Sequence, residues 1–256
     1  MWTWTICAGC SPQEGIWRAS HIDACAWSAG VGMGLEPVRG VDVAKERETN
    51  VMRPSSSLRV TTILISSTSL LIISHYHTLL GDATLSSFIL YFLIPLGIIV
   101  LVFREDPRRF GLTLGDWKSG AISSTVGIAL MAVVIVALVQ LEEFRQYYTL
   151  GILEQPDLAR WVEFALRQGV YMFSWEFIFR GFMLFGLKER FGSLAIWIQA
   201  IPFAIMHLGK PELETLSTVF GGAAFGYIDL ESRSVFPSVV IHWAIYLMMV
   251  LAAAWA

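Results

Sequence analysis

From about residue 60 onward, apolar positions come in long unbroken blocks. They neither alternate with a period of two nor recur on one helix face. In lipid, every backbone N–H and C=O must find a partner inside the structure, so such blocks predict spanning helices. The blocks fall at 60–80, 84–103, 119–141, 171–187, 194–208, 213–228 and 236–255. Most hold roughly the 20 residues that a bilayer core requires at 1.5 Å rise per residue. Block 194–208 is short, and an amphipathic stretch from Leu158 lets block 171–187 begin nearer Trp161. The pattern predicts an all-α fold, a polytopic membrane helix bundle of about seven transmembrane helices.

Residues 1–57 show no sustained period and read as a poorly ordered extension. It precedes a transmembrane domain, 58–256, with a chemistry-bearing core at about 158–256. No internal repeat is visible, so an inverted-repeat transporter has no direct support. Gly221, Gly222 and Gly226 in the sixth block are expected to let neighbouring helices approach closely.

Composition agrees with this picture. Of 256 residues, 55% are hydrophobic and only 15% charged, too little charge to cover a soluble domain of this size. A net charge of -3 gives no reason to expect a nucleic-acid partner. Cys7, Cys10 and Cys25 with His21 have a zinc-knot spacing, but nothing around them reads as a packed domain. Lys and Arg gather in alternate loops. Arg53 and Arg59 precede the first block, Arg104, Arg108, Arg109 and Lys118 follow the second, Lys188 and Arg190 follow the fourth, and Arg233 precedes the seventh. By the positive-inside rule these loops and the N-terminus face the cytoplasm, in the cytoplasmic (inner) membrane, and the C-terminus lies outside.

A charge inside a span costs free energy and needs a reason. Glu176 and Arg180 are four apart and share a helix face. As a purely structural device, such a buried pair adds little over apolar residues of the same volume. His207 follows Phe203 by one turn, and His242 precedes Tyr246 by one turn. His75 and His77 read as interfacial residues at the outer end of the first span. The last four blocks thus hold Glu176, Arg180, His207, His242 and Tyr246, while the first three hold almost nothing ionisable. A water-filled chamber between helices would account for the set. There Glu176 can take a proton from water while a histidine orients that water or returns the proton. The other histidine and Tyr246 can donate to a developing oxyanion, and Arg180 keeps Glu176 ionised. Glu and His side chains also bind zinc, but Arg180 beside Glu176 would repel a dication.

These segments, in this order, resemble the CPBP family (Abi-like), the CAAX prenyl proteases and bacteriocin-processing enzymes. Its members show Glu-Glu-x-x-x-Arg, then Phe-x-x-x-His, then His-x-x-x-Asn or a related ending, each on a membrane helix. Glu176 with Arg180 and Gly181 matches the first motif, Phe203 with His207 the second, and His242 with Tyr246 the third. The run Arg108 to Leu112 is a looser match. The resemblance implies an intramembrane endopeptidase with Glu176, His207 and His242 as catalytic residues. Arg180, Tyr246 and Phe203 would support them, with no cofactor or metal, and the substrate would be a peptide or a lipidated protein in the bilayer. Two departures stand out. Trp175 occupies the place of the first glutamate, usually assigned as the water-activating base, and Tyr246 stands where asparagine is often found. Either Glu176 has taken over the base role, or the chain is a silent relative that binds a membrane partner or confers bacteriocin immunity. A proton-coupled transporter is the third reading. With each block crossing once, His207 and His242 would sit about 15 Å apart in depth, and a short, tilted or re-entrant sixth block would be needed to bring them together.

Overall fold

The computed structural model describes residues 55–149 and 157–255, all within one compact unit, Asn50–Ala256. The extension up to residue 54, with its cysteine and histidine pattern, lies outside the described residues. Ser55 caps the first helix, accepting from the Leu58 N–H at 3.3 Å.

The described residues form helices and connecting turns with no strand. Helix α1 is Ser56–Tyr76, α2 Ala83–Phe103, α3 Trp117–Leu138, α4 Glu142–Tyr148 and α5 Leu158–Phe191. Helices α6, Leu194–Ile205, α7, Glu212–Ser232, and α8, Phe236–Trp255, complete the bundle. Aspartates mark several starts: Asp82, Asp116 and Asp157 accept backbone N–H bonds from Leu85, Ser119 and Ala159. Such a cap is worth about 1 kcal/mol.

The all-α membrane bundle is therefore borne out. Five helices, α1, α2, α3, α5 and α8, are long and apolar enough to cross a membrane. The fifth and sixth predicted spans differ from these. Helix α6 has only 12 residues, and α7, carrying Glu212, Glu214, Asp229 and Glu231, falls outside the set. The fourth span is one helix of 34 residues, about 51 Å long at the α-helical rise, so it exceeds a bilayer core. Its first half presents Leu158, Val162, Leu166 and Val170 outward. The predicted polar connection contains α4, whose Phe144 and Tyr148 are buried against α8.

The second half of α5 is the axis of the bundle. Every residue from Phe177 to Phe185 is buried, in a π-helical stretch that starts directly after Glu176. Wide turns of this kind recur at functional sites because they re-aim side chains. Helices α6, α7 and α1 pack on this stretch, and α8 packs on α3, α5 and α7. Lipid is as apolar as leucine, so this packing rests on close fit and polar contacts instead of water exclusion. His75 and His77 are exposed at the end of α1, as their interfacial reading expects.

Candidate active site

Glu176 is placed by α5 at the entrance to the π-helical stretch and is fully buried. Its Oε1 accepts from His242 Nδ1 of α8 at 2.6 Å, and its Oε2 lies 2.9 Å from Arg180 Nη1. Oε1 is thus hydrogen-bonded, and Oε2 faces the guanidinium as an ion pair. A carboxylate only accepts, so His242 carries its proton on Nδ1, leaving Nε2 as the basic nitrogen. The His242 side chain keeps 11% exposure while those of Glu176 and Arg180 have none. Of this trio, only the histidine can meet water. On this geometry Glu176 is placed to hold the imidazole of His242.

Arg180 is confined on every side. Its guanidinium stands 4.0 Å over the Phe203 ring and 5.3 Å from the Phe225 ring. Its Nη2 donates to the Gly222 carbonyl at 3.3 Å, which also accepts from Gln199 Nε2 at 2.9 Å. A Cβ on Gly222 would meet Phe203 Cδ1 at 2.9 Å, so the missing side chain is what lets α6 and α7 close on the guanidinium. Gly226 likewise faces Gln199, whereas Gly221 faces open space.

Phe203 gives its carbonyl to His207 Nδ1 at 2.8 Å. A carbonyl only accepts, so His207 also carries its proton on Nδ1 and presents Nε2 as an acceptor. In a neutral ring that nitrogen accepts a hydrogen bond and does not donate one. The rings of His207 and His242 stack with centroids 6.2 Å apart, so the predicted gap in depth is closed. The closing device is the fifth segment, not the sixth. Helix α6 stops at Ile205, and the turn through Gly209, at φ +95°, returns the chain before a full span is completed. Thr215 Oγ1 ties that turn to α7 through the His207 carbonyl at 2.9 Å.

The two imidazoles are walled by aromatic rings. Phe203 and Phe225 each lie 5.9 Å from the His242 ring, and Trp175 stands edge-on to His207 at 5.9 Å. Trp175 stacks on Tyr171 and meets Tyr91, filling the place of the first motif glutamate with indole. Tyr246 lies one turn beyond His242, where its ring packs with Tyr148 and Phe164 at 6.1 and 6.2 Å.

The sequence reading missed a second buried carboxylate. Asp229 of α7 is fully buried and accepts from Ser238 Oγ at 2.6 Å and from the Ser238 N–H at 3.1 Å. Ser238 is one turn before His242, so this contact fixes the start of α8 and hence the imidazole. Its signal was an aspartate one turn after Phe225 and Gly226, just past the boundary drawn at residue 228. Among the described residues, no group of three or more metal-ligating side chains comes together.

The fold and site define an integral membrane helix bundle with a buried carboxylate–imidazole pair at its centre. Residues 158–248 match the family described as type II CAAX prenyl endopeptidase Rce1-like, in agreement with the motif resemblance, and the matched segment runs from the start of α5 past Tyr246. The match is a similarity over those residues to a family described as endopeptidases. No curated protein and no solved structure gives a match.

Proposed function

We propose that this chain is a membrane endopeptidase that hydrolyses a peptide bond at or within the bilayer, using water activated by the Glu176–His242 pair. The observation that carries the reading is the 2.6 Å hydrogen bond between Glu176 and His242 Nδ1, which turns Nε2 into an oriented base. His242 Nε2 takes a proton from water and the resulting hydroxide adds to the scissile carbonyl. The same nitrogen then returns the proton to the leaving amine as the C–N bond breaks. Glu176 stays ionised throughout and holds the ring, as a carboxylate does behind a catalytic histidine. His207 Nε2 orients the water by accepting its second proton in a hydrogen bond, and Arg180 and Phe203 hold Glu176 in place. The substrate is a peptide or a lipidated protein presented from the membrane, and the chain sits in the cytoplasmic membrane with the basic loops inside.

The test is cleavage of a peptide and prenyl-peptide library by the purified full-length protein, alongside Glu176→Gln and His242→Gln, with and without a chelator. Cleavage that is lost in both variants and untouched by the chelator is expected. Cleavage that survives in His242→Gln rules the mechanism out. Trp175 at the first-glutamate position supports a second reading, a silent relative that binds a membrane partner. Inertness of the wild type across the whole library would favour it.

A further inference from the structure

We infer that the loop end of the bundle carries a preformed site for a phosphate group, of the kind borne by an anionic phospholipid. A cavity of about 630 Å³ is lined there by Arg108, Arg109, Lys188 and Arg233, with Asp116 as its only carboxylate. These cations come from three separate places in the chain: the loop after α2, the end of α5, and the turn between α7 and α8. The positive-inside rule accounts for basic residues in each of those loops. It does not require them to converge on one hollow.

The hollow is fixed by the backbone. Asp116 N–H donates to the Ser232 carbonyl at 2.7 Å and Val235 N–H to the Gly111 carbonyl at 3.1 Å, locking the two loops together. A Cβ on Gly115, at φ +52°, would lie 2.0 Å from the Ser232 carbonyl oxygen, so only glycine permits the junction. Arg233 itself is held at φ +58°, a backbone conformation disfavoured for a side chain of that size.

The cations are also poorly matched within the protein. Arg109 reaches Glu105 only at 3.9 Å, and Asp116 Oδ1 is occupied in capping α3. Among the described residues, Arg108, Lys188 and Arg233 make no ion pair, and Lys188 rests instead on the Phe185 ring at 4.3 Å. Gathered like charges repel, and an anion between them relieves that cost. Basic pockets between membrane helices at the cytoplasmic side are suited to phosphorylated headgroups.

The test uses the full-length protein in a neutral detergent, following the thermal unfolding midpoint as phosphatidylglycerol, phosphatidylcholine or inorganic phosphate is added. Phosphatidylglycerol is expected to raise the midpoint saturably and phosphatidylcholine to leave it unmoved. The double variant Arg108→Gln/Arg233→Gln should weaken the effect about fivefold for each cation removed. Arg108→Lys/Arg233→Lys, which keeps the charge, should retain most of it and shows that the fold survives substitution. An equal, variant-sensitive shift with inorganic phosphate would make the ligand a soluble phosphate at the same site. A shift shared by both lipids, unchanged in the Gln variant, or absent with every addition would overturn the inference. Glu176→Gln should bind the lipid as the wild type does, which separates this site from the proposed catalysis.

Discussion

Helices α3 and α5 are both apolar and both long enough to cross a bilayer, yet the structure uses them in opposite ways. Only 11% of the α3 window is buried within the protein, against 83% for α5. Ile122, Val126, Leu130 and Val133 of α3 face outward, while Phe177 to Phe185 of α5 face nothing but protein. In water the more apolar helix would be the inner one. In lipid an apolar surface costs nothing outside, and a charge must lie where a partner waits. The inner helix is therefore the one that carries Glu176 and Arg180.

The largest effects are expected where that polar interior does chemistry. His242→Gln should lower kcat/KM by about 10²- to 10⁴-fold, the range for losing a general base, with little change in unfolding midpoint. A stability loss as large as the activity loss would mean that the imidazole is structural.

Stability should respond most to Arg180. Arg180→Met strands Glu176 without its guanidinium in a fully buried position. Breaking a buried pair from one side costs about 3–5 kcal/mol. The double variant Glu176→Leu/Arg180→Met should recover much of that loss, because no buried charge remains. Leu130→Ala on the outer face of α3 should stay within about 1 kcal/mol, as expected for a site away from packed features. Equal losses at Arg180 and Leu130 would erase the contrast between the two helices.

How much of this was legible in the chain follows from the same contrast. Block length and apolarity located α2 and α8 almost to the residue, because the bilayer itself sets that signal. Spacing of four put Glu176 beside Arg180 and Phe203 beside His207, since helix geometry alone decides those pairs. Tyr246 obeys the same spacing from His242, but its contacts with Tyr148 and Phe164 were set by tertiary packing. What spacing cannot show is contact between distant segments: His242 with Glu176, the Phe203 ring on Arg180, or Asp229 on Ser238. The start of α5 at residue 158 was also blurred, since Arg160, Glu163 and Arg167 break the apolar block where the helix leaves the bilayer core.

A smaller effect is expected at the interface of α6 and α7. Gly222→Ala places a methyl 2.9 Å from Phe203 Cδ1, and overpacking of this kind costs about 1–3 kcal/mol. The displaced ring would loosen Arg180, so kcat should fall while KM changes little. Activity equal to that of wild type would show that the Phe203 stack over the guanidinium is dispensable.

The smallest effect probes the exposed half of α5, where Arg167 pairs with Asp82 at the start of α2. The Asp82 carboxyl is held below its ordinary value, first by the Leu85 N–H that it caps and then by Arg167. A carboxylate whose folded pKa is depressed adds stability that is present above the unfolded value, near 3.9 for aspartate. That stability fades as pH falls through the lower folded value. Asp82→Ala should therefore unfold slightly earlier than wild type at neutral pH, and the gap should narrow in acid below about pH 4. Added salt should narrow it too, because the pair is exposed. A gap that persists in acid and in salt would show that the uncharged cap, not the ion pair, joins α2 to the outer half of α5.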